Sequence, residues 1–66
     1  KIQPRDIFKV SKALKQKFNQ LDIYLSYQQK NLILSIKQKI SYEEFREIET
    51  FLRVNFPKLN FKILNN

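Results

Sequence analysis

The stretch LDIYLSYQQKNLILSIKQKI, residues 21–40, decides the fold of this 66-residue chain. Apolar residues occupy every second position in both of its arms, which is the period of a strand that buries one face. The alternating positions are Leu21, Ile23, Leu25 and Tyr27 in the first arm and Leu32, Leu34 and Ile36 in the second. The link QQKN, residues 28–31, is polar and has the length that hairpins favour. The stretch therefore predicts a β-hairpin.

One register of this hairpin places six apolar side chains on a single face. It sets Tyr27 opposite Leu32, Leu25 opposite Leu34, and Ile23 opposite Ile36. The other face then pairs Ser26 with Ile33, Tyr24 with Ser35, and Asp22 with Lys37. A slip of one residue would set apolar side chains opposite polar ones, so the pattern specifies the register strongly.

An amphipathic helix is predicted before the hairpin, from about residue 6 to residue 19, with Asp6 as its N-cap. Its apolar residues recur in steps of three and four, at Ile7, Val10, Leu14, Phe18 and Leu21. Lysines occupy the opposite face, and such a helix could lie on a membrane surface. We expect it to pack on the hairpin instead, because an uncovered two-stranded hairpin is marginally stable in water.

A second helix is predicted from the capping box Ser41-Tyr42-Glu43-Glu44. It should end by about Asn55, because Pro57 disfavours helical geometry at the residue before it. Glu49 and Arg53 stand one turn apart in the favourable orientation for an ion pair. We interpret the glutamates of this segment as the cap and solvent face of a helix, and not as acid–base catalysts.

A third strand is predicted over residues 59–64, where Leu59, Phe61 and Ile63 alternate with other residues. The order helix, strand, strand, helix, strand contains a βαβ unit, so the third strand should run parallel to the second through a right-handed crossover. The predicted fold class is α+β, a two-layer sandwich with a three-stranded mixed sheet and both helices on one face. The third strand can lie beside either strand of the hairpin.

The composition bounds the function. The chain is long enough for one domain, residues 1–66, and because it begins with Lys1 we expect a fragment of a longer protein. It has no cysteine, histidine or glycine, which excludes thiol chemistry, Cys/His zinc sites and Gly-rich phosphate loops. We predict no enzyme activity, cofactor, metal or small-molecule substrate. Turns should use asparagine, glutamine, serine and proline instead of glycine, and asparagine can take left-handed backbone angles at modest cost.

The positive charge is confined to one part of the chain. Residues 1–40 hold nine basic and two acidic side chains, a net of +7, whereas residues 41–66 hold four of each sign. The candidate basic patch comprises Lys9, Lys12, Lys15, Lys37 and Lys39. Such asymmetry suits nucleic acid, anionic lipid or an acidic protein, and it is also what an ordinary solvated face shows.

The sheet face left open by the helices is the predicted partner surface. Its candidate residues are Tyr24, Ile33, Lys37, Asn60, Lys62 and Leu64. Ile33 and Leu64 should add apolar contact area to it. The third strand is the expected contact edge, because it is terminal and carries only Lys62 as a charge, whereas we place Asp22 in the first strand. Packing of the first helix, residues 5–19, across a dimer axis is the alternative.

The order of elements resembles a known group of proteins. The helix, the arms 21–27 and 32–36, the helix opening at Ser41-Tyr42-Glu43-Glu44-Phe45 and the strand 59–63 are similar to small ferredoxin-like periplasmic domains. Those domains belong to inner-membrane assembly proteins of type II secretion and of type IV pilus or DNA-uptake machines. The resemblance implies a non-catalytic, dimerising interaction module on a membrane-anchored periplasmic protein, with the anchor ahead of Lys1.

A second resemblance gives the alternative. The same order is similar to compact KH-like and replication-accessory domains, which hold nucleic acid or partner proteins and would place the chain in the cytoplasm. The absence of glycine removes the GxxG loop of a true KH domain.

Overall fold

A computed structural model describes residues 3–65, and its elements follow the predicted order. Helix α1 spans Pro4–Lys17, strands β1 and β2 span Ile23–Gln28 and Asn31–Ile36, helix α2 spans Tyr42–Asn55, and strand β3 spans Phe61–Asn65. The sheet order is β1-β2-β3, with β1 antiparallel and β3 parallel to β2. The α+β prediction is confirmed, and the open question of strand order is settled in favour of β3 beside β2.

The hairpin has the predicted register. Ile23 pairs with Ile36, Leu25 with Leu34, and Tyr27 with Leu32. The pairing continues to Gln28 and Asn31, so the turn itself contains only two residues. The left-handed position in this turn is taken by Gln29, with φ 56°, and glutamine is one of the residues expected in the turns. Left-handed geometry costs a residue with a side chain roughly 1–2 kcal/mol, and the paired arms on either side hold it in place.

The core lies between β2 and the two helices. Seven side chains at most 2 % exposed form one cluster: Val10, Leu14, Leu32, Leu34, Ile36, Ile48 and Leu52. Because α1, α2 and one face of β2 all contribute to it, both helices cover the same face of the sheet. Tyr27 shares that face by register but is 45 % exposed, so it lies at the rim and not in the core.

The start of α1 differs from the prediction. Gln3 is the N-cap and Pro4 opens the helix, so Asp6 is the third helical residue and not the cap. Its carboxylate accepts a hydrogen bond of 3.0 Å from the Gln3 backbone N–H. Proline suits the first helical position, since the N–H it lacks would have no intrahelical partner. The helix also ends earlier than predicted, at Lys17.

No helix within residues 3–65 combines the length and apolar character needed to cross a membrane.

Helix α2 has the predicted ends. The Ser41 hydroxyl accepts from the Glu44 N–H at 3.1 Å, and the Glu44 carboxylate accepts from the Ser41 N–H at 3.1 Å. This reciprocal pair satisfies two donors that the helix leaves free. The last helical residue is Asn55, two residues before Pro57.

An aromatic contact joins the two helices. The rings of Phe18 and Phe51 meet edge to face at 5.6 Å between centroids. The Lys17 ammonium lies 5.8 and 5.9 Å from the same two centroids, and 4.0 Å from a Glu47 carboxylate oxygen. Edge-to-face aromatic pairs contribute about 0.5–1.5 kcal/mol beyond the area they bury, so this contact helps to set α1 against α2.

Two amide side chains tie the loops at one end of the sheet. Gln38 donates to the Gln20 carbonyl at 2.9 Å and accepts from the Asp22 N–H at 2.7 Å. Asn65 donates to the carbonyls of Ile36 and Gln38 and accepts from the Ile40 N–H. The second amide therefore fixes the last residue of β3 against the loop that leads into α2.

Truncation of the central strand should remove much of the stability. We expect Leu34→Ala to lower the free energy of unfolding by about 2–5 kcal/mol, the usual range for a buried leucine. Leu64→Ala is the matched control, because Leu64 is 45 % exposed. Urea denaturation of both variants measures the difference. A loss below about 1 kcal/mol for Leu34→Ala would contradict the core described above.

Candidate protein-interaction site

The outer edge of β1 carries unpaired backbone groups. The Lys37 N–H donates to the Asp22 carbonyl at 3.2 Å, so these two residues form a hydrogen-bonded pair. In an antiparallel ladder such pairs alternate along the strand. Tyr24, Ser26 and Gln28 therefore point their N–H and C=O groups toward β2, and the residues between them point theirs outward. The outward residues of β1 are Ile23, Leu25 and Tyr27.

The outer edge of β3 follows from a bond at its start. The Leu32 N–H donates to the Asn60 carbonyl at 2.8 Å, where Leu32 is paired with Phe61. In a parallel ladder, the N–H and C=O of a bonded residue pair with the residues just before and just after its register partner on the other strand. Lys62 therefore bonds to β2, and Phe61 and Ile63 direct their backbone groups outward. Within residues 3–65, the hydrogen bonds made outside the regular elements do not reach these outward groups.

A groove of about 340 Å³, lined by both apolar and polar side chains, runs between β3 and α2. Its apolar lining comprises Phe45, Leu52, Phe56, Pro57, Leu59, Phe61 and Ile63. The rings of Phe56 and Phe61 form a tilted pair, with 6.4 Å between centroids and 60° between ring planes. Phe45 is half-buried and lies outside the core cluster, so its ring belongs to the groove more than to the interior. An unpaired strand edge beside a groove that can receive alternate side chains is the arrangement that accepts an added strand.

The two charged residues that line the groove, Glu49 and Arg53, have opposite signs and cancel. The Glu49 carboxylate lies 3.5 Å from the Arg46 guanidinium and 3.6 Å from that of Arg53. The pKa of Arg46 is raised by its hydrogen bond with the Tyr42 hydroxyl and also by the charge of Glu49, so it stays cationic at any physiological pH. The whole of residues 41–66 carries four charges of each sign. A partner without net charge can approach this side.

The β1 edge has different surroundings. A cleft of about 60 Å³ separates β1 from α1 and is lined by Leu14, Phe18, Leu21, Ile23 and Leu25, with Ser11, Lys15 and Asp22 as its polar residues. It is much smaller than the groove at β3, and the helix beside it is basic. The two edges therefore offer a partner unlike environments.

Three predicted partner residues lie on the open face as expected. Tyr24 of β1 is 67 % exposed, and Lys62 and Leu64 of β3 are exposed beside each other on the same face. The expected exposure of Ile33 is wrong, because its side chain is only 7 % exposed. It lies in the middle strand, flanked in register by Ser26 and Lys62, and neighbours on both sides cover it.

Other predicted residues lie outside the strands. Lys37 and Lys39 follow the end of β2 and belong to the loop before α2, where the backbone of Lys37 still bonds to that of Asp22. Asn60 precedes β3, which begins at Phe61 and not at Leu59, and it lines the groove instead. β3 starts two residues later than the alternation predicts, because the loop before the strand sets where pairing with β2 begins.

The charge argument for choosing between the edges is also wrong. β1 begins at Ile23, so Asp22 is outside it and the strand IYLSYQ has no charged residue, whereas β3 contains Lys62. What distinguishes β3 is the groove beside it. Phe45 and Phe56, which line that groove, were not predicted as site residues, since their role depends on which strand lies next to α2.

The candidate basic patch is divided between two places. Lys9, Lys12 and Lys15 are exposed on α1, with Phe8 beside them at 68 % exposure. Lys37 and Lys39 are exposed in the loop after β2. The charges therefore form a basic helix face and a separate basic loop.

No cluster of three or more histidine, cysteine or acidic side chains within residues 3–65 is arranged to hold a metal ion. A scan against models of protein families matched none, and searches of curated proteins and of solved structures found no significant match.

The two ladders predict a pattern of amide exchange. We expect the N–H groups of Phe61, Ile63 and Leu25 to exchange quickly with deuterium, because they point outward, and those of Lys62 and Leu64 to be protected by β2. NMR-detected exchange at a concentration where the protein is monomeric measures each amide. Protection of Ile63 together with rapid exchange at Lys62 would reverse the assignment of the edge.

Proposed function

We propose that this domain is a non-catalytic protein–protein interaction module that dimerises by pairing β3 with β3 of a second copy. The observation that carries the proposal is the outward backbone of Phe61 and Ile63 beside the groove with its aromatic and aliphatic side chains. An added strand gains main-chain hydrogen bonds from the edge and places alternate side chains in the groove. Phe45 and Phe56 form the far wall of that groove.

The charge distribution supports a second copy as the partner. Two copies that meet through residues 41–66 bring together surfaces without net charge, whereas contact through residues 1–40 would oppose two surfaces of +7. Pairing about a two-fold axis also closes the assembly, since each copy uses the same edge. The product is a continuous six-stranded sheet.

The strand length suggests one register for the pair. β3 spans five residues with Ile63 at its centre, so an antiparallel pair centred on Ile63 overlaps the whole strand. Phe61 then faces Asn65 of the second copy, and Lys62 faces Leu64 on the open face. This register avoids the alternative in which two Lys62 side chains oppose each other, which like charges disfavour.

The wider context we propose is a membrane-anchored secretion, pilus or DNA-uptake assembly, with this domain on the periplasmic side. The order of elements supports it, since the helix, hairpin, helix and strand follow one another as in the resemblance described above. The test is the location of the protein expressed from its own gene. We expect an antibody against the domain to detect it in the membrane fraction, in a form that protease cleaves once the outer membrane is removed. Recovery in the cytoplasmic fraction would contradict this context and leave the dimer proposal standing.

Blocking one outward amide tests the dimer directly. A chain of 66 residues is within reach of chemical synthesis, which allows the Ile63 nitrogen to be methylated without changing the side chain. We expect the unmodified domain to associate as its concentration rises, and N-methylation of Ile63 to weaken association at least tenfold, because an outward donor is lost. Sedimentation equilibrium measures both constants. Proline at Lys62 is unsuitable for this purpose, since the Lys62 N–H points toward β2 and its loss would disturb the sheet itself.

N-methylation of Leu25 provides the matched control, because that amide is outward on the other edge. It should leave association unchanged, and circular dichroism should show that both modified chains fold. A domain that stays monomeric up to millimolar concentration, or one weakened equally by both modifications, would overturn dimerisation through β3.

A further inference from the structure

We infer that the β1 edge is a second docking site, which accepts an acidic, extended polypeptide segment of another protein. The inference goes beyond the dimer proposed above, since pairing through β3 leaves β1 free. The outward backbone groups of Ile23, Leu25 and Tyr27 form an unpaired ladder, and β1 contains no charged residue and no proline that would block an added strand.

The chemistry of this edge selects a polypeptide. Outward N–H and C=O groups alternate at the spacing of a strand, and a second strand matches both kinds of group in turn. A nucleic acid offers no such alternation of donors and acceptors along its backbone. Tyr24 and Tyr27 are exposed on opposite faces of β1 and can flank an added strand, and tyrosine is among the residues that contribute most to protein interfaces.

The helix beside the edge selects for negative charge. Ser11 and Lys15 line the cleft together with Ile23 and Leu25. Phe8 precedes Ser11 by three residues and Lys15 by seven, so it continues the same side of α1. A strand added to β1 would therefore run below a helix side with an exposed aromatic ring and a lysine. Alternate carboxylates on that strand would face the positive charge.

A second copy fits this edge poorly. Helix α1 carries five basic residues and one acidic residue, Arg5, Lys9, Lys12, Lys15 and Lys17 against Asp6. Pairing β1 with β1 would bring two such helices near each other, and like charges that meet across an interface suppress that pairing. An acidic segment gains from the same charges. Asp22 is the one acidic side chain that lines the cleft, and it lies at the end opposite the hairpin turn.

Three synthetic peptides test the inference. All share the alternating valines of a ten-residue strand, and the positions between the valines are glutamate in the first, glutamine in the second and lysine in the third. Each is titrated into the 15N-labelled domain at 50 mM and 500 mM salt. We expect the glutamate peptide to shift the amide signals of Ile23, Leu25 and Tyr27, and to bind at least tenfold more tightly than the glutamine peptide at low salt. High salt should shrink this difference, because the contacts are exposed.

Paired variants locate the site. N-methylation of Leu25 should abolish binding of the glutamate peptide, and N-methylation of Ile63 should leave it intact. Lys15→Gln should weaken binding severalfold, while Lys58→Gln, an exposed lysine next to Pro57, should not. Because dimerisation responds to N-methylation of Ile63 and peptide binding to that of Leu25, failure of one proposal is distinguishable from failure of the other.

Four results would overturn the inference. They are the absence of binding by any peptide, equal affinity for the glutamate and glutamine peptides, peptide-induced shifts confined to β3, and retention of full affinity after N-methylation of Leu25. A single-stranded oligonucleotide that binds α1 while no peptide binds would assign the positive charge to nucleic acid instead.

Discussion

Strand β2 is hydrogen-bonded on both edges and covered by both helices on one face, and the rest of the structure depends on this. The backbone groups of its odd-numbered residues bond to β1, and those of its even-numbered residues bond to β3. Leu34 is buried against both helices, and Ile33 is buried on the opposite face. Since both edges of β2 already form backbone hydrogen bonds, the free backbone groups of the sheet lie on β1 and β3. The capacity for strand addition is therefore confined to the two sides of the molecule.

The helices make these two sides chemically different. α2 lies along β3 with balanced charges and leaves a wide groove of mixed lining, whereas α1 lies along β1 with a large excess of lysine and leaves a narrow cleft. The aromatic contact between Phe18 and Phe51 and the amides of Gln38 and Asn65 hold the layers and loops in place. A rigid edge loses little conformational freedom when a partner adds to it. One small sheet can therefore present two selective edges.

Much of this fold could be predicted from local patterns. The register of the hairpin follows from side-chain alternation, because a slip of one residue in either direction sets Ile23 opposite a polar residue. The start of α2 follows from the reciprocal bonds of Ser41 and Glu44, which involve residues three apart. The start of α1 was predicted three residues late, because Asp6 serves equally well in the third position of a helix as at its cap. Gln29 adopts the left-handed φ angle because the hairpin register places it in the two-residue turn. The conformational preference of glutamine by itself does not predict this angle.

The candidate site was only partly predictable. Lys62 and Leu64 were assigned correctly to the open face because their positions follow from alternation within β3. Ile33 and Asn60 were misplaced, since burial in a middle strand and the exact start of a strand depend on neighbours distant in sequence. By itself the sequence determined the elements, their order, the hairpin register and the separation of charge, because each is set by spacing between nearby residues. Only the tertiary structure decided that β2 is central, that Phe45 and Phe56 line a groove beside β3, and which backbone groups are free, because these depend on how a strand joined through α2 packs against the hairpin.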